Sequence, residues 1–506
     1  MRGIHNNIGD IRRAVFAAVA KMAYEGNYAR LPALPFDILP GEDATYRDSI
    51  FVERAIVSER IRLACGLPLR SLDDYAPTAA GFEESIIAEK YYTPPLVNII
   101  KYACNACPEK RVIVTDMCQG CLAHPCVEVC PKNAVFTLKG HNSCIDQDKC
   151  IRCGKCIDAC EYNVIIKQER PCSRSCGMDA IRSDDHGRAD IDYDKCVSCG
   201  MCMTNCPFGA IADKSQILQV CTAIRRGDKV IAIIAPAFAG QFGPELTADR
   251  LPAAMRALGF VSVKEVAVGA DLCTIDETED FLENVPSRHP FMDTSCCPAW
   301  SVMVKKLFPE LSENISMALT PMVLTARMVK RKYPDHKICF IGPCAAKKLE
   351  AMRRSIRSDV DFVLTYEEVA GMFAARQVDF SQLEREEPGN KATAAGRGYA
   401  VTGGVSGAIV ELANSRHPGL GIKTASAQGL RECRKMMAMA KAGKYDGYLL
   451  EGMACPGGCV GGAGTIAAQN KAAAAVAQHK EAAKKRLADE TDYADYLELL
   501  LEQDDE

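Results

Sequence analysis

The stretch CVSCGMCMTNCPFGAI, residues 196–211, places four cysteines within eleven positions. Two similarly dense runs precede it, CQGCLAHPCVEVCP at 118–131 and CIRCGKCIDAC at 150–160. Three thiolates in such a run can bind one face of a 4Fe-4S cube, whereas the fourth cannot fold back and binds a neighbouring cube. Zinc is the alternative, but zinc sites usually pair two Cys-x2-Cys units across a longer spacer. The spacing therefore favours 4Fe-4S clusters.

The order Cys-x2-Cys-x2-Cys-x3-Cys-Pro is typical of bacterial ferredoxins, in which the last cysteine ligates the other cluster. One departure is Glu161, which stands where the second motif usually has proline. The crossing rule predicts three ligand sets: Cys118, Cys121, Cys126 and Cys160; Cys150, Cys153, Cys156 and Cys130; Cys196, Cys199, Cys202 and Cys176.

A fourth motif is split in the sequence. Cys172 and Cys176 have the spacing of a motif's last two cysteines, and Cys104-x2-Cys107 lies upstream. We expect that a whole ferredoxin unit, about residues 108–171, is inserted between the halves. The fourth ligand set is then Cys104, Cys107, Cys172 and Cys206. The alternative leaves Cys104 and Cys107 idle or holding another metal. His124 lies between ligands and is expected to be a nearby hydrogen-bond donor or a surface residue.

Composition narrows the class of protein. The 506 residues carry a net charge of −4, which argues against a strongly basic nucleic-acid binder. There are 27 cysteines, and disulfide scaffolds are usually short and secreted. The sequence contains no run of about 18 apolar residues, so no membrane span is predicted. The apolar stretch Ala14 to Ala20 reads as a helix face, not an export signal. We therefore expect a reducing, cytoplasmic location.

The cysteines and the hydrophobic periodicity divide the chain into four regions. Residues 1–100 have helical patterns and no assigned role, and residues 101–215 form tandem or inserted ferredoxin-like α+β domains. Strand-like and helical runs alternate over 216–465, which predicts an α/β domain with a largely parallel sheet. Residues 466–506 are Ala/Lys-rich and then acidic, which predicts a solvated helical tail.

Five cysteines of the α/β region stand in Gly/Pro-rich contexts: Cys296 and Cys297 in DTSCCPAW, Cys344 in IGPCAAKK, Cys455 and Cys459 in EGMACPGGCVGG. These motifs, downstream of ferredoxin repeats, resemble the iron-only (FeFe) hydrogenases over residues 101–465, in the branch with TSCCPAW and GPCAAKK. The resemblance implies a two-lobed catalytic domain. The six remaining cysteines are expected to be small buried hydrophobes: Cys65, Cys144, Cys221, Cys273, Cys339 and Cys433.

The resemblance also implies the active site, called the H-cluster. It is a 4Fe-4S cluster joined to a two-iron subsite with CO, cyanide and a bridging dithiolate amine. By the motif match, the cubane ligands are Cys297, Cys344, Cys455 and Cys459. Cys459 also bridges to the two-iron subsite. Lys347 matches the lysine that donates to a cyanide, and Met453 the methionine beside the bridging CO.

The resemblance further implies a proton relay. Cys296 is its first acceptor, followed by Glu277, Asp280 and Ser316, although Asp280 stands where glutamate is usual. A thiol near neutral pKa suits a base beside a site that splits H2. Without the resemblance, the last three residues would read as a solvated helix face. Three departures are Gly342 for methionine, Met322 for a polar residue and Ala463 within the glycine run; the first two should shape the pocket.

The predicted function is a ferredoxin-type hydrogenase that catalyses 2H+ + 2e− ⇌ H2. About four additional 4Fe-4S clusters would relay electrons from or to a ferredoxin or another one-electron carrier. Maturation proteins would supply the two-iron subsite, and neither nucleic acid nor a membrane span is expected. Two alternatives are an iron-sulfur assembly or scaffold protein of the Nar1-like type and an H2 sensor. The TSCC pair and Lys347 argue against the assembly protein. The sensor is disfavoured because such relatives usually carry a signalling module and none is recognised after residue 465.

Overall fold

The computed structural model describes residues 3–87, 93–138, 142–353, 356, 359–386 and 391–501. Within 3–87 the regular elements are helical: α1 (Asn7–Glu25), α2 (Leu34–Ile38), α3 (Ile50–Ala64) and α4 (Phe82–Ser85). Helix α1 starts where the Asn6 side chain accepts a hydrogen bond from Gly9 N, and it ends at Gly26, whose φ is 68°. Its apolar face, with Val15 and Val19, enters the main core. The N-terminal region is thus packed against the rest of the protein.

The cysteine-rich segment is built from short strands and single-turn helices. Its elements are β1 (Val97–Ile99), β2 (Arg111–Val114), α5 (Pro125–Glu128), β3 (Val135–Thr137), β4 (Ser143–Ile145), α6 (Lys155–Asp158), β5 (Ile165–Gln168), α7 (Pro171–Arg174), β6 (Ile181–Ser183), β7 (Ala189–Ile191), α8 (Met201–Asn205) and β8 (Ile211–Asp213).

Strand pairing shows that this segment is two units, one nested inside the other. Strand β2 pairs antiparallel with β5 and β3 with β4, which closes the inner unit, residues 111–168. Strand β1 pairs antiparallel with β8, and β6 with β7. These four strands form the outer unit, residues 97–107 and 171–213. The inner unit is therefore inserted into the outer unit, close to the boundary expected from the sequence.

The α/β region contains helices α9–α18 and strands β9–β15. They are α9 (Ile217–Arg226), β9 (Val230–Ile234), α10 (Leu251–Ala257), β10 (Ser262–Glu265), α11 (Ala267–Asn284), β11 (Met292–Asp293), α12 (Pro298–Leu307), α13 (Pro321–Lys332), β12 (Lys337–Gly342), α14 (Ala346–Glu350), β13 (Phe362–Thr365), α15 (Tyr366–Ala375), α16 (Ala394–Gly398), α17 (Gly404–Arg416), β14 (Lys423–Gln428), α18 (Leu430–Lys441) and β15 (Tyr448–Met453).

These strands form two sheets rather than one. The order in the first is β10-β9-β12-β13, and in the second β11-β15-β14. Every pairing in both sheets is parallel, as the strand-helix alternation predicts. Residues 261–269, VSVKEVAVG, read as one strand-like run in the sequence, but the run divides in two, because β10 ends at Glu265 and α11 begins at Ala267. In the part of the chain that the structure describes, no helix has the length and apolar character needed to cross a membrane.

The expectation of a solvated tail after residue 466 is wrong. Helix α19 (Gln469–Glu481) buries Ala472 and Val476 in the main core. His479 Nε2 lies 3.1 Å from Glu265 Oε2, and helix α20 (Leu497–Leu501) buries Leu500. Ala472, Val476 and His479 form the buried face of α19, whereas Ala474 and Ala477 are exposed, so an Ala-rich composition was misread as solvent-facing on every side.

A buried ion-pair network connects the outer unit to the α/β region. Lys348 Nζ lies 2.8 Å from Asp213 Oδ2 and 2.7 Å from Glu368 Oε1, and it also donates to Lys214 O. Asp213 belongs to β8 and Glu368 to α15. The charge of Lys348 therefore compensates two carboxylates that are removed from water.

Replacing Lys348 with methionine should destabilise the protein by about 3–5 kcal/mol, because it leaves two buried carboxylates without a cation. Urea unfolding followed by circular dichroism measures the effect. Lys444→Met, at an exposed position, is the control and should change stability by less than about 0.5 kcal/mol. Equal midpoints for the two variants would contradict a structural role for the network.

Candidate cluster-binding and active site

One buried cavity lies at the carboxyl ends of both parallel sheets, the usual place for ligands in such folds. It encloses about 850 Å³ of space free of protein atoms, part of it open to solvent. The loop after β9 contributes Pro236, the loop after β12 contributes Cys344, and the loop after β15 contributes Cys455. All seven residues that the resemblance assigns to the cluster and its surroundings line this one cavity: Cys296, Cys297, Cys344, Lys347, Met453, Cys455 and Cys459.

The donors fit a cubane better than a single ion. Among the described residues, no group of three or more His, Cys, Asp or Glu side chains is arranged to hold one metal ion. In a cubane each thiolate binds a different iron, so the sulfurs surround the cluster and do not converge on one point. Four thiols around a mostly apolar cavity are the matching donor set.

Lys347 supplies the cation of this cavity. Its Nζ lies 2.6 Å from Glu350 Oε2, but the contact lacks hydrogen-bond geometry, and neither atom has a hydrogen-bond partner. Burial lowers the pKa of Lys347, but the negative charges of Glu350, Cys344 and Cys296 together leave the pKa raised. The ammonium group therefore stays charged and keeps donors available for a ligand in the cavity.

Glu277 is fully buried on α11 beside the cavity. Its Oε1 accepts hydrogen bonds from Ser295 N at 2.8 Å and Ser295 Oγ at 3.0 Å, whereas Oε2 has no partner. Burial raises the pKa of Glu277 to about 7, although the two bonds from Ser295 oppose this. Burial and then the charge of Glu277 raise the pKa of Cys296 well above its usual range. The expectation of a thiol with a near-neutral pKa is therefore wrong for Cys296, whereas the pKa of the Glu277 carboxyl lies near neutrality.

The two other predicted relay residues lie further from the cavity. Ser316 is buried, and its Oγ accepts a hydrogen bond from Ala318 N. Ser295 Oγ donates to Ala318 O, so Ser295 connects Glu277 with the loop of Ser316. Asp280, half-buried three residues after Glu277, accepts a hydrogen bond from Asn284.

Sequence reasoning missed several polar residues around the site. Tyr399 lines the cavity, and its hydroxyl is 2.8 Å from Thr274 Oγ1. Burial, followed by the charges of Asp280 and Glu279, raises the pKa of Asp276 to about 6. Asp293 is fully buried with no partner for either carboxylate oxygen, and burial raises its pKa. Only the position of Asp293 within DTSCC could have signalled it.

The unusual residues Gly342 and Met322 have different consequences. Met322 lines the cavity, as expected. Gly342 does not line the cavity, whereas Phe340 does. A Cβ at residue 342 would come within 2.5 Å of the Phe340 ring, so the glycine leaves room for that ring. Ala463 packs against Gly200, where a Cβ would lie 2.5 Å from the Ala463 Cβ. The alanine in the glycine run therefore marks the contact between the outer unit and the α/β region.

All four ferredoxin-type motifs share one backbone pattern. The residue before the second cysteine of each motif has positive φ: 44° at Ala106, 58° at Gly120, 59° at Arg152 and 52° at Ser198. The third residue after each final cysteine does too: Asn133, Asn163, Asp179 and Gly209. The split motif therefore has the same turns as the continuous ones. At Cys130, Cys176 and Cys206 the sulfur also accepts a hydrogen bond from the N–H four residues later.

The cysteines of the outer unit lie in two neighbouring groups. Cys104, Cys107, Cys172 and Cys206 line one small cavity. Charge interactions connect Cys202 with Cys199, Cys196, Cys176 and Cys172. Cys199 also lines the large cavity and interacts with Cys344. The small cavity of the split motif, the group around Cys202 and the large cavity are therefore neighbours in that order.

In the inner unit the cysteines surround one small core. Cys156 interacts with Cys150, Cys130 and Cys153, which is the second predicted set. Cys118, Cys126 and Cys160 of the first set contact the same core. His124 is half-buried, and its Nδ1 is 3.4 Å from Thr137 Oγ1. The imidazole of His124 therefore has a hydrogen-bond partner in the neighbouring strand β3.

Comparison with protein families gives two matches. Residues 228–463 match the iron-only hydrogenase large subunit, C-terminal domain, and residues 149–210 match a 4Fe-4S dicluster domain. The first range contains all seven cavity residues named above. The second runs from the last third of the inner unit to the end of the outer unit.

Two groups of characterised proteins are similar to the chain. Iron hydrogenase 1 of Clostridium pasteurianum is 30% identical over 63% of this chain and 64% of its own length. The NADP-reducing hydrogenase subunit HndD of Solidesulfovibrio fructosivorans is 29% identical over 51% of this chain and 53% of its own. Cytosolic iron-sulfur assembly component 3 of Bos taurus is 25% identical over 45% and 59%. The match spans less than two thirds of each of these relatives.

The raised pKa of Glu277 makes stability depend on pH. The folded protein favours the protonated carboxyl, so stability is highest below the unfolded pKa of about 4.5 and falls as the pH rises towards about 7. Glu277→Gln cannot ionise and should lack this loss. Its free energy of unfolding relative to wild type should therefore grow between pH 4.5 and 7 and level off above.

Urea unfolding of both proteins across pH 4.5 to 8 measures this difference. Exposed Glu432, for which Glu432→Gln is the control, should show a flat difference over the same range. A flat difference for Glu277→Gln would mean that its carboxyl is not desolvated in the folded state.

Proposed function

We propose that this FeFe-hydrogenase-like protein is itself a hydrogenase that catalyses 2H+ + 2e− ⇌ H2 with a one-electron carrier as partner. The observation that supports this most is the single cavity that Cys297, Cys344, Cys455 and Cys459 share with Cys296, Lys347 and Met453. Ferredoxin-type sites need only thiols. A free thiol, a charged lysine and a methionine beside four such thiols provide for a cofactor that needs more than a cubane.

In this proposal Cys297, Cys344, Cys455 and Cys459 hold the cubane of an H-cluster, and Lys347 donates to its anionic ligands. When bound, the two-iron subsite supplies the formation and cleavage of the H–H bond. The surrounding apolar wall, with Phe340, Met322 and Pro236, limits the access of bulk water to the reacting centre. Exclusion of water strengthens the electrostatic contacts that Lys347 makes there.

The proton route begins at the Cys296 Sγ. The unpartnered Oε2 of Glu277 is the next group that can hold a proton, and its pKa near 7 suits transfer in both directions. Ser295 orients the carboxyl through two hydrogen bonds to Oε1. On the same helix, the half-buried Asp276 and Asp280 flank Glu277 in the sequence and would pass the proton to solvent.

The electron route uses the thiols that bind clusters in the two ferredoxin-type units. Cys199 lines the active-site cavity, so the set of Cys176, Cys196, Cys199 and Cys202 would hand electrons to the cubane. The interaction between Cys202 and Cys172 connects that set to the split-motif set. The inner unit would provide two further clusters.

A second candidate is an iron-sulfur assembly protein, because relatives such as the assembly component of Bos taurus match 45% of the chain. Such a function would require 4Fe-4S clusters in the chain but no two-iron subsite. Infrared spectroscopy separates the two candidates, since only CO and cyanide ligands give bands in their window.

The first test is metal content together with the infrared spectrum. Produced with hydrogenase maturation proteins, the chain should contain about 22 irons, four in each of five cubanes and two in the subsite, and show CO and cyanide bands. Produced without them, it should contain about 20 irons, show no such bands and make no H2. About 20 irons and no bands in both hosts would favour the assembly candidate.

The same measurement tests the split motif. Cys104→Ala/Cys172→Ala should lose about four irons and one reduced-state paramagnetic resonance signal, with the infrared bands retained. Cys65→Ala is the control, because this buried cysteine lies in the helical core. Full iron content in the double variant would mean that Cys104 and Cys172 bind no cluster.

The adjacent cysteines should differ in their effects. Cys297→Ala should lose the active-site spectrum, because a cubane with three thiolates exposes one iron to water. Cys296→Ala should keep the infrared bands but evolve H2 about 10²–10⁴ times more slowly, because a methyl group cannot carry a proton. Cys296→Asp should recover part of this rate.

These rates are measured with reduced methyl viologen, after the infrared bands have shown that the variants are loaded. Glu277→Gln combined with Cys296→Ala should cost little beyond Cys296→Ala alone, since both residues serve one route. Normal turnover in Cys296→Ala would show that protons take another route.

A further inference from the structure

The inner unit presents one cysteine to solvent. Of all 27 cysteines, only Cys153 is classed as exposed; the others are half-buried or buried. Cys153 belongs to the set of Cys130, Cys150 and Cys156, which form the second cluster site of the inner unit. An external carrier must bring its own redox centre close to a cluster. The site with the exposed thiol therefore offers the shortest approach.

Cations flank the ligands of this site in the sequence. Arg152 precedes Cys153 and Lys155 follows it by two residues, while Lys132 lies two residues after Cys130. All three are exposed, and within the described part of the chain none of them has an ion-pair partner. Lys149, next to Cys150, is paired with Asp146 at 3.2 Å. The exposed apolar side chain of Ile151, 56% accessible, lies in the middle of the same loop.

The two cluster sites of the inner unit carry different charge. Within two residues of its ligands, the Cys153 site has four cations against three carboxylates, whereas the Cys118 site has four carboxylates and no lysine or arginine. The carboxylates near the Cys118 site are those of Asp116, Glu128, Asp158 and Glu161. Electrostatic complementarity guides association and selects partners, so the two ends would attract carriers of opposite charge.

From the exposed Cys153 and its three unpaired cations, we propose that the surface formed by Lys132, Ile151, Arg152, Cys153 and Lys155 is the docking site for an acidic one-electron carrier protein. Ile151 provides an apolar contact at the centre, and the three cations provide the charged rim, an arrangement typical of transient interfaces. The inference rests on the proposed hydrogenase function and specifies where electrons enter and what charge the partner carries.

The electron count is simple. At each encounter the reduced carrier loses one electron and the cluster of the Cys153 site gains one, with no bond formed or broken. Two encounters supply the two electrons that reduce two protons to one H2. In the uptake direction the same surface returns electrons to the oxidised carrier.

The test uses the complete, cluster-loaded protein and a strongly acidic bacterial 2[4Fe-4S] ferredoxin as the probe. The variant Lys132→Glu/Arg152→Glu/Lys155→Glu should raise the KM for ferredoxin at least tenfold at low ionic strength. It should also weaken ferredoxin binding in calorimetry and flatten its salt dependence. Turnover with methyl viologen, a small cation that does not need this surface, should stay within about twofold, and iron content should be unchanged.

The matched control reverses three exposed lysines of other regions, Lys423→Glu/Lys444→Glu/Lys471→Glu, and so makes the same change in net charge. The control should leave the ferredoxin KM within about twofold of wild type. A variant with glutamine at positions 132, 152 and 155 should have an intermediate KM, which separates charge from damage to the cluster loop.

Two results would overturn the proposal. One is an unchanged ferredoxin KM and affinity in the triple glutamate variant with all its iron. The other is an equal loss in the control, which would mean that only net charge matters. The first of these results, together with a loss of ferredoxin binding in Met117→Glu/Leu122→Glu, would place electron entry at the Cys118 site instead. Failure of the hydrogenase proposal looks different, because the wild type would then lack CO and cyanide bands while calorimetry still reports on docking.

Discussion

The structure depends on one constraint: four thiolates must reach four different irons of one cube. A Cys-x2-Cys pair satisfies it only if the chain turns sharply between its cysteines, and in all four ferredoxin-type motifs the residue before the second cysteine has positive φ. Alanine, arginine and serine occupy three of these positions, although glycine adopts this conformation at lower cost. At these three positions the chain adopts an unfavourable backbone conformation, which indicates that cluster geometry outweighs the conformational preference of the residue.

The α/β region meets the same constraint in another way. Its four thiols come from three loops at the carboxyl ends of two parallel sheets, and no tight cysteine motif is needed. Cys459 follows Gly458, whose φ of 87° and close approach to Thr402 N leave no room for a side chain. Rigid strands therefore place the thiols here, and the cysteines can be far apart in the sequence.

Much of this architecture follows from the sequence. Cysteine spacing predicted the insertion of one ferredoxin unit into another, because the motifs are local and their geometry is strict. The parallel strands were also predictable from their apolar runs. The packing of the last forty residues was not predictable, because an Ala-rich sequence does not show whether side chains such as Ala472 and Val476 face solvent or a core. Tyr399 and Phe340 were missed because only tertiary packing brings them to the cavity, and Asp293 was missed because only the fold shows that it is buried without a partner.

The nesting of the two units has a consequence for how the chain folds. All strand pairs of the inner unit form between Arg111 and Gln168, but β1 of the outer unit must wait for β8, whose Asp213 pairs with Val97. Closing a loop costs more conformational entropy as the loop lengthens, although only slowly. A folded inner unit holds its own two ends together and so shortens the effective loop that the outer unit must close. During synthesis the folded inner unit thus keeps the two halves of the outer unit close together until β8 pairs with β1.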